Sequence, residues 1–215
     1  LVEIGGTVGD LENQFFIEAA RQLSHDVGRE NSMFVHLTYV PIPSGVNEQK
    51  SKPTQMSVRE LNEKGIYPDI IIGRCEEYIK PHLKEKIGLF CNLPASHVIS
   101  GVDVKHVYEV PLVYESEGIP EIILKRLQVY APPQLNEWRR LVESLKRNQV
   151  KPRKSLTVAI CGKYTALEDS YASVVEALNH ASAHLDLRVQ IKGVDTEKVE
   201  NNYDGVAKSL VGVNA

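Results

Sequence analysis

Pro68-Asp69-Ile70-Ile71-Ile72-Gly73-Arg74-Cys75 reads as a strand whose apolar residues do not alternate. Such a run suits a parallel sheet covered on both faces. The flanking sequence agrees. Upstream, Met33 to Val40 predicts another strand, closed by Pro41 and Pro43, and Ser57 to Lys64 a short helix stopped by Gly65. His36 alternates with apolar neighbours and is assigned a structural place. Downstream, Pro81 to Phe90 predicts a helix, Ala95 to Ser100 a strand and Gly101 to Val104 a turn. Val107 to Leu112 and Ile119 to Leu127 complete this part. Strand and helix alternate, which predicts an α/β doubly wound sheet.

Ligands of such sheets bind in the loops beyond the carboxyl ends of the strands. One loop of this kind is Glu3-Ile4-Gly5-Gly6-Thr7-Val8-Gly9-Asp10-Leu11-Glu12. Leu1-Val2 before it reads as the tail of a buried strand, and Phe15 to Leu23 after it as a helix. Glycines let the backbone approach a ligand, and free N–H groups at a helix start suit a phosphate. The carboxylates of Glu3, Asp10 and Glu12 would repel a phosphate unless a divalent cation intervenes, and Mg²⁺ is the usual choice. The alternative is a turn with acidic capping residues, Asp10 as N-cap and Glu12 in the first turn.

The other loop is Ser44 to Gln55. Lys50, Lys52, Thr54 and Gln55 offer two ammonium groups, a hydroxyl and an amide within six residues, stiffened by Pro53. That set suits a polyphosphate; a solvated surface loop is the alternative.

Tyr130-Ala131-Pro132-Pro133 breaks the pattern. Leu135, Trp138, Leu141, Val142 and Leu145 then form one amphipathic helix, and Lys146 to Lys154 has a linker composition. A new unit opens at Leu156 to Tyr164, a buried strand turning over Gly162. A helix over Asp169 to His184 and a strand over Leu187 to Ile191 make one βαβ unit. The predicted division is residues 1–129, an interdomain helix and linker over 130–154, and a second unit over 155–215. The chain opens in what reads as a strand and closes at Val211 to Ala215, which reads as a strand beginning. It is therefore read as an interior fragment of a longer protein.

Composition excludes several classes. The 215 residues carry a formal net charge of −3, which gives no electrostatic case for nucleic acid or a membrane surface. No apolar run approaches the length of a bilayer span. Cys75, Cys91 and Cys161 are odd in number and lie in apolar contexts, which predicts free buried thiols in a reducing cytosol. No Cys/His spacing resembles a zinc site.

Taken together, the chain resembles the CTP synthase family. The resemblance rests on the stretches Glu3 to Glu12, Glu48-Gln49-Lys50-Ser51-Lys52-Pro53-Thr54-Gln55, Lys86-Ile87-Gly88-Leu89-Phe90-Cys91 and Val158-Ala159-Ile160-Cys161-Gly162-Lys163-Tyr164. It runs in order over essentially the whole chain. It implies the C-terminal part of a P-loop-NTPase-like amidoligase domain, followed by the first βαβ unit of a class I glutamine amidotransferase domain. It implies an ATP-dependent ligase that aminates UTP to CTP with ammonia from glutamine, is inhibited by CTP, responds to GTP, and is a cytoplasmic homotetramer. The residue matching Glu3 would ligate Mg²⁺. Those matching Asp10, Leu11 and Glu12 would line the site of inhibitory CTP. Those matching Lys50, Ser51, Lys52, Pro53, Thr54, Gln55 and Lys86 would hold the UTP or CTP triphosphate. Val102, Asp103 and Val104 would border ATP, although many relatives carry a lysine where this chain has Val102.

The sequence contains no phosphate loop of the G-x-x-x-x-G-K-[ST] type and no G-x-C-x-G nucleophile elbow. The fragment alone is thus expected to be inactive, with no catalytic residue of its own. The competing reading is a non-catalytic nucleotide-binding or assembly module of the same fold. Another P-loop amidoligase is disfavoured by the lysine-rich loop.

Overall fold

A computed structural model describes residues 1–150, 154–165, 168–199 and 203–215. The chain divides into two compact units, Leu1–Pro133 and Gln134–Ala215.

In the first unit, β1 (Val35–Tyr39), β2 (Ile70–Cys75) and β3 (Val98–Val102) form a parallel sheet in that order. The β2 run lies in the middle, and four of its six residues in sequence, Ile70 to Gly73, are buried. Alternate residues feed opposite faces. Ile71 and Cys75 point to one face. There they meet Val58 of α2 (Lys52–Glu63) and Leu83, Ile87 and Cys91 of α3 (Pro81–Cys91). Ile70 and Ile72 point to the other face. They meet Ile99, Tyr114 of α4 (Val110–Ser116) and Ile119, Ile122 and Ile123 of α5 (Ile119–Arg126). Ile70, Ile71, Ile87 and Ile99 are fully buried, each contributing about 1.5–3 kcal/mol of hydrophobic stabilisation. α1 (Gln14–Val27) packs Ile17 against Leu61 and Ile66.

The outer edge of β3 is closed by a side chain. Glu117, just past α4, accepts the Ser100 N–H at 2.7 Å and an ion pair from Lys84 of α3. Burial pulls the Glu117 carboxyl upward, but the bonds from Lys84 and Ser100 outweigh it and hold the group below its usual range. At the other border the Thr54 hydroxyl bonds Tyr39 O at the end of β1. Val35, Leu37 and Tyr39 form a row on one face that is half exposed.

The second unit pairs β4 (Ser155–Gly162) in parallel with β5 (Arg188–Asp195), connected through α7 (Ala172–Leu185). The amphipathic helix expected before it is α6 (Asn136–Val150). It packs on α7 by donating to carbonyls in the last turn of that helix. Ser144 Oγ donates to Ala183 O at 2.7 Å, and Asn148 Nδ2 to Ser182 O at 2.9 Å. Most of the predicted linker, Lys146 to Val150, is thus the last turn of a helix; residues 151–153 lie outside the described residues.

Four expectations need correction. Ala95–His97, expected as strand, is a 3₁₀ turn, and β3 runs on through Gly101 and Val102, where a turn was expected. Leu1 and Val2 form no strand and are exposed, because the sheet β1-β2-β3 brings no neighbour to them. Cys161 is exposed rather than buried, since its two-stranded sheet leaves that side of β4 open, while Cys75 and Cys91 are buried as expected. The fourth is the start of α2, taken up below. The end of the chain does begin to pair: Asn214 N–H donates to Thr157 O and Ala159 N–H to Ala215 O, both at 2.8 Å.

Candidate functional site

Gly5 to Asp10 is a closed turn. Asp10 accepts the Thr7 N–H at 2.8 Å and the Thr7 hydroxyl, and its own N–H returns to Thr7 O at 3.1 Å. These bonds, the hydroxyl first, hold the Asp10 carboxyl below its ordinary range. Asn13 Nδ2 donates to Gly5 O at 2.6 Å. Gly6 sits at φ +78°, and a Cβ there would lie 2.5 Å from Asn13 Nδ2. The Asp10 side chain therefore braces the turn and makes no cap bond to the 3₁₀ turn Leu11–Asn13 that follows. Leu11 and Glu12 on that turn are exposed, as is Glu3. Among the described residues no group of three or more His, Cys, Asp or Glu could hold a metal. A lone exposed carboxylate fits Mg²⁺, which commonly takes one or two protein carboxylates and completes its shell with water and phosphate oxygens.

The segment Lys50–Gln55 departs from the expected loop. α2 begins at Lys52 instead of Ser57, with Pro53 in its first turn. Proline fits there because its ring presets φ and the N–H it lacks would have had no partner. Lys52 and the Thr54 N–H thus belong to a helix N-terminus, where partial positive charge gathers. Thr54 is fully buried and donates its hydroxyl to Tyr39 O at 3.2 Å. It fastens α2 to the carboxyl end of β1. Gln55 Nε2 bonds Ser51 Oγ at 3.0 Å, and Ser51 is buried. Lys50 pairs with Glu48 at 2.6 Å, and its N–H bonds Pro41 O at 2.9 Å.

Gln49 is 4% exposed. Its Nε2 donates to Glu77 O at 2.9 Å and Tyr78 O at 3.1 Å, and its Oε1 accepts the Lys80 N–H at 3.1 Å. One amide thus ties the loop before α2 to the loop before α3. Lys86 is exposed on α3, which shares a sheet face with α2. The Lys50 ammonium holds the Glu48 carboxyl below its usual range, with Lys86 and Lys80 adding to the pull. Lys50, in the loop before α2, and Lys86, on α3, thus belong to segments over one face of the sheet.

A cavity of about 330 Å³ opens at the carboxyl ends of β2 and β3, on the opposite face. Val102, Asp103 and Val104 line it with Leu37, Arg74 and Tyr114. Arg74 donates to Asp103 Oδ1 at 2.9 Å at its rim. The Val102 side chain packs with the core on the α2–α3 face, and the charge at the cavity comes from Arg74 and Asp103. The sequence reading passed over both Gln49 and Arg74. Arg74 did carry a signal, a single cation placed right after a buried apolar run. The second unit has its own cavity of about 380 Å³ at the ends of β4 and β5, lined by Thr165, Lys192, Asp195 and Lys198 among others.

Residues 1–129 match the family model described as CTP synthase N-terminus. The chain is 45% identical over 210 residues to the CTP synthase of Borreliella afzelii strain PKo, covering 96% of this chain and 39% of that protein. It is 48% identical over 215 residues to that of Thermococcus gammatolerans, covering 100% of this chain and 39% of the relative. The CTP synthase of Symbiobacterium thermophilum is 49% identical over 203 residues, covering 94% and 37%. The chain spans about two fifths of the length of the curated relatives it matches. Among the described residues no helix is long and apolar enough to cross a membrane.

Proposed function

The chain belongs to the CTP synthase family, and from that premise we propose that it contributes two nucleotide subsites to an ATP-dependent amination of UTP to CTP. What supports this reading is Lys50 and the start of α2 at the carboxyl end of β1, Lys86 exposed on α3 over the same sheet face, and a cavity at the carboxyl ends of β2 and β3 on the other face. The lysine side suits the triphosphate of UTP or of inhibitory CTP. The cavity, with Asp103 and Arg74 at its rim, suits the base and sugar of ATP. The first unit is then the later part of a P-loop-like amidoligase domain. The second unit is the opening βαβ of the glutaminase that releases ammonia.

In this reaction ATP phosphorylates O4 of the uracil ring and ammonia displaces the phosphate. Two triphosphates side by side must be neutralised before they can approach. Lys50 and Lys86 take the pyrimidine triphosphate as point charges, and the first turn of α2 adds its free N–H groups. Lys52 and Gln55 border the same position. Glu3 would hold Mg²⁺, which would supply positive charge to neutralise the phosphates. Exposed Glu12 accepts from a sugar hydroxyl or the cytosine amine, as an ionised carboxylate can only accept. Asp10 holds the turn that presents it. Positioning and charge stabilisation supply most of what phosphoryl transfer needs.

Steady-state kinetics of the intact protein test the assignment. Lys86→Ala or Lys50→Ala should raise the UTP KM about tenfold or more, the loss of one charge-assisted hydrogen bond of ~1.5–3 kcal/mol. The ATP KM should stay within about twofold. Equal losses for both nucleotides would remove the lysines from a pyrimidine-specific role.

A further inference from the structure

The cavity at the ends of β2 and β3 has two walls, and one residue joins them. One wall is the end of β3, where Gly101 and Val102 run into Asp103 and Val104. The other is α4, which supplies Val110, Val113 and Tyr114. Glu117 lies just past α4, and its backbone N–H donates to Val113 O at 3.0 Å. Its Oε2 accepts the Ser100 N–H at 2.7 Å. Ser100 immediately precedes Gly101 and is fully buried, and its Oγ accepts the Ile79 N–H of the loop before α3 at 3.1 Å. The same Glu117 oxygen pairs with Lys84 of α3, which covers the far face of the sheet. The Glu117 and Lys84 side chains are only 14% and 21% exposed. A carboxylate sheltered from water and bonded by two donors, one of them charged, is held in one conformation.

We propose that Glu117 is a positioning residue of this cavity: the length of its side chain sets the gap between α4 and β3, and Lys84 holds the carboxylate in place. This rests on the reading of the cavity as the base and sugar subsite of ATP, and adds to it the group that fixes its width. Glu117 is not among the residues that line the cavity, so it acts through Val113 and Ser100. A flat base held between two walls loses much of its contact energy when either wall shifts by a fraction of an ångström. The arrangement asks for reach at position 117 more than for charge. Glutamine has the same reach, and its amide oxygen accepts from Ser100 and Lys84 alike. Aspartate keeps the charge but is one methylene shorter, about 1.5 Å. It must either release Ser100 or draw α4 inward.

Steady-state kinetics of the intact protein read the difference. Glu117→Asp should raise the ATP KM about fivefold, because a displaced wall loses contact with the base. Its UTP KM should stay within about twofold of the parent, and Glu117→Gln should leave both constants within that range. Melting temperatures of the unliganded variants report what each substitution costs the fold. The reverse order, a raised ATP KM for Glu117→Gln and none for Glu117→Asp, would make charge the requirement and overturn the proposal. Equal rises in both constants for Glu117→Asp would overturn it too, as a general loss of packing. Val104→Trp puts a bulky ring on the cavity wall and should block ATP. If Val104→Trp raises the ATP KM and Glu117→Asp does not, Glu117 serves the fold alone and the ATP reading stands. If Val104→Trp leaves the ATP KM unchanged, the ATP reading fails and the positioning role with it. Where Glu117→Asp does not fold, Lys84→Met takes its place. It frees the carboxylate without shortening it, and an unchanged ATP KM in that variant would overturn the proposal.

Discussion

His36 shows how much a single buried group can report. It lies on β1, is 8% exposed, and bonds Ser57 of α2 through Nε2 at 2.8 Å. Burial lowers its pKa below the ordinary 6.5, because the imidazolium is poorly solvated there. The unfolded chain then binds a proton more readily than the folded one. The stability linked to His36 is complete above pH 6.5 and is lost as pH falls below it, through the lower folded value. His36→Gln keeps a partner for Ser57 without the titration. Its melting temperature should fall less steeply than the parent's on acidification below that pH, and parallel profiles would place the acid sensitivity elsewhere. The cysteines separate in the same way. Burial pushes the Cys75 and Cys91 thiols up to about 11, whereas Cys161 is exposed. A thiol-alkylating reagent at neutral pH should label Cys161 first, and Cys75 and Cys91 only with denaturant. Rapid labelling of Cys91 in native protein would contradict its burial.

Among the elements, α3 does two jobs at once. Ile87 is fully buried against the sheet, and Lys86 beside it faces solvent. Ile87→Ala should cost about 2–5 kcal/mol, measured as a shift in the denaturant midpoint at constant slope. A loss under ~1 kcal/mol would mean that the face collapses around the gap. The sheet itself was legible because Ile70-Ile71-Ile72 cannot hide its side chains on one face only. The start of α2 was not, because Lys52 to Gln55 are polar and resemble a loop. The missed signal was Pro53, a helix-starting residue placed ahead of Val58 and Leu61 at helical spacing. For the candidate site, Lys50 and Lys86 were singled out by residue type, and the order of elements sufficed to place α2 and α3 over one face of the sheet. Gln49 was not legible. It is one amide among polar neighbours, and the groups that bury it lie about thirty positions away at Glu77 to Lys80. The attachment of α6 failed for the same reason. Its stripe was visible in Val142 and Leu145, but Ser144 and Asn148 bond carbonyls at the far end of α7.

Across the whole molecule, the first unit's sheet has two unlike borders. Among the described residues β1 is an edge strand with no strand neighbour on its outer side, beside the half-exposed row of Val35, Leu37 and Tyr39. An open edge with an apolar face invites pairing with other chains, and a lysine there blunts it. Val35→Lys should reduce self-association of the 215-residue chain in light scattering, with its melting temperature little changed. Scattering that is indifferent to this change would acquit the edge. The opposite border is governed by Glu117. By occupying the Ser100 amide, it leaves β3 with no vacancy for a neighbour at that position. One carboxylate just past α4 thus takes the place that a neighbouring strand's carbonyl would fill at Ser100, so any partner of β3 forgoes a rung there.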